Sequence, residues 1–178
     1  MRRGSHRVGC IRTPSRVDTQ PMRIHLHESE LWLPRPRSEG FPFFADARNL
    51  ERITPPMLNF RVLNDGPIPM REGTLIDYKL RVRGVPFRWR TRISHWEPET
   101  RFVDEQLRGP YRRWHHTHTF EDMDGGTLCR DRVEYAYLGD VLVHSWLVQK
   151  DVEKIFAYRA KVLKEIFSPL PSGHDAPC

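Results

Sequence analysis

At 178 residues the chain is long enough for one domain with a sizeable core, and its composition is that of a folded globular protein. The net charge of +6 is concentrated at the start, where five arginines face one aspartate within residues 1–22; the rest of the chain lacks the clustered basic surface that nucleic-acid binding needs. Three scattered cysteines, Cys10, Cys129 and Cys178, make neither a disulfide framework nor a Cys-x-x-Cys clip, which points to a reducing, cytoplasmic location, and the least charged stretch, residues 141–149, is too short to span a bilayer.

Residues 1–22 are Arg-rich and acid-poor. They read as a disordered or mis-assigned extension ahead of Met22, with a targeting presequence as the alternative. The first strand is predicted over residues 23–34, closed by Pro34. Phe41, Phe43, Phe44, Leu50 and Ile53 then suit two short helices. Gly40 and Pro42 keep the first short or broken, Asp46 or Asn49 caps the second, and Pro55-Pro56 ends it. From residue 57 the pattern turns to strands. "MLNFRVLND" is the first of these. Ile76, Tyr78, Leu80 and Val82 alternate with charged residues, as do Phe87, Trp89, Thr91 and Ile93. "TRFVDEQLRG" is a weaker strand. "RRWHHTHTFEDM" and "GTLCRDRVEYAYL" flank Asp124-Gly125, a tight-hairpin signal. Residues 144–167 have helical spacing, with Val148, Val152, Ile155, Val162, Leu163 and Ile166 on one stripe. Residues 169–178 follow as a tail. A mostly antiparallel sheet of about seven strands has one dry face to cover, and the long helix is the element able to cover it.

The hairpin turn sets a register in which Met123 opposes Gly126, Phe120 opposes Cys129, His118 opposes Asp131, His116 opposes Val133 and Trp114 opposes Tyr135. Trp114, His116, His118 and Phe120 thereby share the dry face, with Asp131 among apolar neighbours. A buried carboxylate needs a partner. The His118–Asp131 pair therefore reads as a satisfied pair fixing register, as a polar anchor that orients a ligand, or as an acid–base pair. His116, His118 and Asp131 also have the composition of a two-His, one-carboxylate metal set, but the spacing forces no further ligand, and neither metal nor cofactor is expected. Arg159 falls within the apolar stripe of the long helix, where it either snorkels out or pairs with a buried acid such as Asp131, or else grips an acidic ligand group.

"LPRPRSEGFPFFADARNLERITPP", "GTLIDYKLRVRGVPFRWRTRI", "GPYRRWHHTHTFE", "GGTLCRDRVEYAY" and "IFAYRAKVL" together resemble the bacterial SRPBCC proteins of the START-like, Bet v 1-like superfamily, often labelled polyketide cyclase/dehydrase-like. The resemblance runs over residues 23–167. It implies an α+β helix-grip fold, a seven-stranded curved antiparallel sheet wrapped around a long C-terminal helix with two short helices after the first strand. It also implies a ligand-binding domain over residues 23–168 and a hydrophobic small-molecule ligand, such as a lipid, polyketide or isoprenoid, between sheet and helix. The expected ligand-binding residues are Tyr78, Trp89, Trp114, His116, His118, Asp131, Tyr135 and Arg159. The alternative is a cyclase or dehydratase using His118 and Asp131. No nucleic-acid partner and at most transient membrane contact are expected.

Overall fold

The computed structural model describes residues 22–137 and 145–168. Seven strands form one open, curved antiparallel sheet: β1 His25–Leu33, β2 Arg61–Val62, β3 Leu75–Val82, β4 Val85–Glu97, β5 Arg101–Arg108, β6 Tyr111–Met123 and β7 Gly126–Tyr137. Their order is β1-β7-β6-β5-β4-β3-β2, a meander in which the first strand returns to pair with the last. Between β1 and β2 lie α1 Arg37–Phe44, a single turn at Ala47–Asn49 that leads into α2 Leu50–Ile53, and another turn at Pro56–Leu58. The long helix α3, Ser145–Phe167, runs about 35 Å at 1.5 Å per residue. This is the expected helix-grip fold. No helix among the described residues is long and apolar enough to cross a membrane.

The tightest piece of local chemistry is the β6–β7 hairpin. Asp124 and Gly125 both take positive φ, 50° and 72°, the backbone a two-residue turn needs to match strand twist. The register is the one read from the turn: Met123 opposes Gly126, His118 opposes Asp131 and Trp114 opposes Tyr135. The Trp32 indole N–H donates to the Met123 carbonyl at 2.9 Å, tying β1 to the hairpin tip. The wet face carries cross-strand ion pairs, including Arg132–Glu28, Arg130–Glu30, Arg90–Asp77, Arg92–Glu105 and Arg113–Glu134.

Two expectations change. The strand expected at residues 57–65 shrinks to the two residues of β2. Asn59 adopts a left-handed backbone just before it, and the Asn64 side chain takes over the ladder beyond it, accepting from Asp77 N at 2.7 Å and donating to the Leu75 carbonyl at 3.1 Å. The buried stripe of α3 is Val152, Phe156, Leu163 and Phe167, with Ile155, Val162 and Ile166 only half-buried. The helix is therefore rolled toward its two phenylalanines. Asp46 caps the turn before α2 by accepting from Arg48 N, and α1 accommodates both Gly40 and Pro42. Residues 1–21, the link over 138–144 and the tail from 169 lie outside the described residues.

The core falls into three parts. Leu33, Phe41, Ile53, Phe102, Phe120, Cys129, Leu163 and Phe167 pack where α1 and α2 meet the end of α3. Ile76, Tyr78, Leu80, Trp89 and Ile93 line β3 and β4. Val133, Tyr135, Tyr137, Val152 and Phe156 join β7 to the start of α3.

A Cβ added at Gly126 would run into the Leu33 carbonyl and approach the Trp32 ring to 2.8 Å. Gly126→Ala is therefore expected to destabilise the protein by about 1–3 kcal/mol, read from urea unfolding, whereas Gly84→Ala meets no neighbouring atom and loses only its turn conformation.

Candidate functional site

Three neighbouring strands, β5, β6 and β7, converge on a polar island in the dry face. The β6 alternation that buries Phe120 and half-buries Trp114 also turns His116 and His118 inward, at 4% and 8% exposure. β7 supplies Asp131 opposite His118, and β5 supplies Asp104 opposite His116. The four side chains close on one another. His116 Nε2 and His118 Nδ1 lie 2.8 and 2.9 Å from Asp131 Oδ1. His118 Nε2 and His116 Nδ1 lie 3.0 and 3.3 Å from Asp104 Oδ2. The imidazoles lie against one another with their planes tilted by 39° and their centroids 3.7 Å apart.

Two of the four contacts are hydrogen bonds, His116 Nε2 with Asp131 Oδ1 and His118 Nε2 with Asp104 Oδ2. A neutral imidazole brings one N–H, a charged one two. One N–H on each ring meets both, and the carboxylates on either side favour the charged form of His116. The electrostatics agree. Burial by itself would push Asp104 and Asp131 upward, yet the adjacent imidazoles hold both carboxyls well below their ordinary value. Burial would push His116 down, and Asp104 and Asp131 together hold it above its ordinary value.

The surroundings of the quartet are aromatic. Phe102 stacks on His118 at 4.1 Å, Phe156 of α3 meets His116 edge-on at 5.5 Å and Trp114 stands 6.3 Å from His116. From Trp114 an aromatic run continues through Tyr111, Trp89, Tyr78 and Phe60, with successive centroids 4.9, 5.6, 5.7 and 4.7 Å apart. Tyr135, 1% exposed, closes the side toward β1. Thr91 Oγ1 satisfies both the Tyr78 hydroxyl at 2.8 Å and the Trp89 indole N–H at 3.0 Å. The expected residues on the sheet thus share its dry face: Trp114, His116, His118, Asp131 and Tyr135 meet in one patch, while Trp89 and Tyr78 sit two and three strands away from β6 and join it through Trp114. Arg159 comes from α3. Its guanidinium lies over the Phe156 ring at 4.8 Å, its buried Nε has no hydrogen-bond partner, and among the described residues it makes no ion pair, with Asp131 or any other acid.

Two residues of this patch were not singled out from sequence. Asp104 is one; Phe102 and Val103 before it are both buried, so no alternation on β5 marks it as inward. His27 is the other. It repeats on β1 the His-x-His alternation seen on β6, opposes Val133, and lies 4.6 Å from Phe156 with its buried Nε2 unpartnered. Burial holds the His27 imidazole below its ordinary value against the pull of Asp131 and Glu153. Asp104, His116 and His118 each bring one donor atom to within 4.8 Å of the others, the spacing a metal ion needs. An open recess of about 530 Å³ lined by Asn64, Pro67, Ile68 and Arg71 lies in the loop between β2 and β3 and shares no residue with the quartet.

A domain of this shape, with a curved sheet gripping a C-terminal helix, belongs to the Bet v 1-like, START-like class. Residues 33–158 match the family model described as polyketide cyclase / dehydrase and lipid transport, and the chain is a member of that SRPBCC family. No curated protein sequence matches it. Among solved structures it is similar to protein CV1439 of Chromobacterium violaceum, 16% identical, TM-score 0.65, with 82% of this chain and 98% of that one covered. A START superfamily protein of Mycobacterium smegmatis is 13% identical, TM-score 0.62, over 80% and 97%. Major latex-like protein 151 of Panax ginseng is 8% identical, TM-score 0.62, over 82% and 99%. At these identities the likeness is one of fold.

Asp104 and Asp131 are held below their ordinary 3.8, so their contribution to stability is present above that pH and is lost as pH falls through their folded values. His116 is held above its ordinary 6.5, so its contribution is present below 6.5 and is lost as pH rises through its folded value. In EDTA-treated protein the stability difference between wild type and His116→Gln is expected to be largest between pH 3.8 and 6.5 and to shrink on both sides. Urea unfolding across that range measures it, and a difference that does not vary with pH refutes the ionic quartet.

Proposed function

We propose that the domain formed by residues 23–168 binds a hydrophobic small molecule of lipid, polyketide or isoprenoid type between the sheet and α3, within a reducing cytoplasmic compartment. The observation that carries this reading is the composition of the dry face. One end is aromatic, from Tyr78 and Trp89 to Trp114 and Tyr135, and the other ends in a charged cluster that a purely structural core has no need of. Apolar walls supply affinity at about 25 cal/mol per Å² before the costs of binding, and a few polar groups fix orientation. Arg159 and His27, each with a buried nitrogen lacking a partner, stand beside the cluster and suit the acidic or carbonyl end of such a molecule. The buried free thiol of Cys129, pushed up to about 12 by burial and by Asp131, is consistent with a structural rather than a redox role. The family description, which names both lipid transport and cyclase/dehydrase chemistry, supports the ligand class.

A catalytic reading is favoured by one observation, the 2.9 Å contact of His118 Nδ1 with Asp131 Oδ1. In that reading His118 moves a proton and Asp131 holds its tautomer while the aromatic walls keep a flexible substrate folded.

Native mass spectrometry of protein purified gently from its own host is expected to show a co-purifying mass that organic solvent releases. Arg159→Met is expected to lower the affinity of a fluorescent fatty acid about tenfold or more, the cost of losing a charge-assisted hydrogen bond. Absence of any released mass together with no probe binding overturns the binding reading. Turnover of a released ligand that His118→Ala abolishes, with binding retained, establishes the catalytic one.

A further inference from the structure

The quartet is more ordered than charge balance requires. Both imidazoles present one nitrogen to Asp131 and the other to Asp104. His116 Nε2 and His118 Nδ1 meet the same oxygen, Asp131 Oδ1, at 2.8 and 2.9 Å. His116 Nδ1 and His118 Nε2 meet the same oxygen, Asp104 Oδ2, at 3.3 and 3.0 Å. When neutral, each ring has one N–H and one lone pair. His116 Nε2 hydrogen-bonds Asp131 and His118 Nε2 hydrogen-bonds Asp104; were the His118 proton instead on Nδ1, 2.9 Å from Asp131 Oδ1, the lone pairs of His116 Nδ1 and His118 Nε2 would stand beside Asp104 Oδ2. That arrangement repels as it stands and becomes attractive once a cation sits between the three atoms.

The spacing suits one. Donor atoms bound at about 2.0–2.1 Å around a tetrahedral metal ion lie about 3.3 Å from each other. The two Asp104 contacts, at 3.0 and 3.3 Å, are such edges, and one donor from each of Asp104, His116 and His118 falls within 4.8 Å of the other two. Asp131 then has the place of the outer carboxylate that metal-bound histidines bond with their far N–H, fixing ring orientation and tautomer. Here one carboxylate does so for both rings.

We propose that Asp104, His116 and His118 form a two-histidine, one-carboxylate site for a divalent transition-metal ion, with Asp131 as the positioning residue that orients both imidazoles. This donor set suits zinc, iron or manganese rather than calcium or magnesium. Three protein donors leave coordination positions for water or for a ligand oxygen. The site is assembled from β5, β6 and β7 alone, so it does not depend on the ligand-binding reading: a protein that binds a lipid but no metal overturns this proposal and leaves the other standing.

The test uses full-length protein stripped with EDTA, then freed of chelator and titrated with Co²⁺ alone. The expected result is saturable binding of one Co²⁺ per chain to the quartet, with the visible absorption of a four- or five-coordinate ion, displaced by Zn²⁺. Asp104→Asn, close in volume, and His118→Ala are each expected to weaken binding at least 100-fold. Asp131→Asn is expected to weaken it about 10- to 100-fold while keeping the one-to-one stoichiometry, as loss of an outer partner does. His115→Ala, on the wet face beside Glu105, is expected to change nothing. Wild type that shows no saturable Co²⁺ binding overturns the proposal, whether or not the variants fold. So does Co²⁺ binding that persists unchanged in both folded Asp104→Asn and His118→Ala.

Discussion

The register of β6 against β7 is the constraint on which the site depends. Side chains alternate with a period of two, so a slip of one residue would send His116 and His118 out to water and bring His115 and Thr117 in. The Asp124-Gly125 turn forbids that slip, because a two-residue turn with both residues at positive φ permits one pairing. The same choice is enforced on the opposite face. Arg130 and Arg132 fall across from Glu30 and Glu28 on β1, and the aligned pairs would be lost together if β7 moved. Surface pairs of this kind are individually weak, but here they act as a check on register rather than as a source of stability.

What that register creates is expensive. Four ionisable groups sit beside Phe102, Phe156 and Trp114, the two imidazoles buried and the two carboxylates half-buried, so that each isolated charge would carry a desolvation cost. Mutual pairing offsets the cost, and a well-packed apolar substitute of similar volume would generally be as stable or more so. Thr91 shows the inexpensive alternative a few ångströms along the same face: a single hydroxyl satisfies Tyr78 and Trp89 with no charge at all. A quartet retained where a hydroxyl would serve is better accounted for by chemistry than by folding.

The turn and the two long alternating strands made the hairpin, the inward histidines and the pairing of His118 with Asp131 legible from the amino-acid sequence, and helical spacing did the same for α3. Asp104 was not legible for two reasons. Phe102 and Val103 are adjacent and both buried, so β5 shows no clean alternation. Its ladder with β6 ends at Glu105 opposite His115, with residues 106–114 between them around Gly109-Pro110, so no tight-turn rule carries the pairing across. His27 escaped because β1 meets β7 only after the whole chain has folded back, a contact that no local pattern encodes. The roll of α3 that buries Phe156 and Phe167 in place of Ile155 and Ile166 is likewise decided by the aromatic partners it meets: Phe43 and Phe44 for Phe167, and His27 and His116 for Phe156.

The division of labour between sheet and helix follows from these contacts. All four members of the quartet stand on adjacent strands joined by continuous hydrogen-bond ladders, so their geometry is set before anything enters the space beside them. The helix contributes Phe156 as a wall and Arg159 as a cation, both on one turn and neither bonded to the quartet. A movement of α3 large enough to admit a ligand would therefore change the lining and the electrostatic field of the site without dismantling its polar centre. Fold neighbours at 8–16% identity keep the sheet and the helix while their interiors are free to differ. In this chain the polar chemistry of the interior therefore stands on β5, β6 and β7, and α3 adds the wall and the cation beside it.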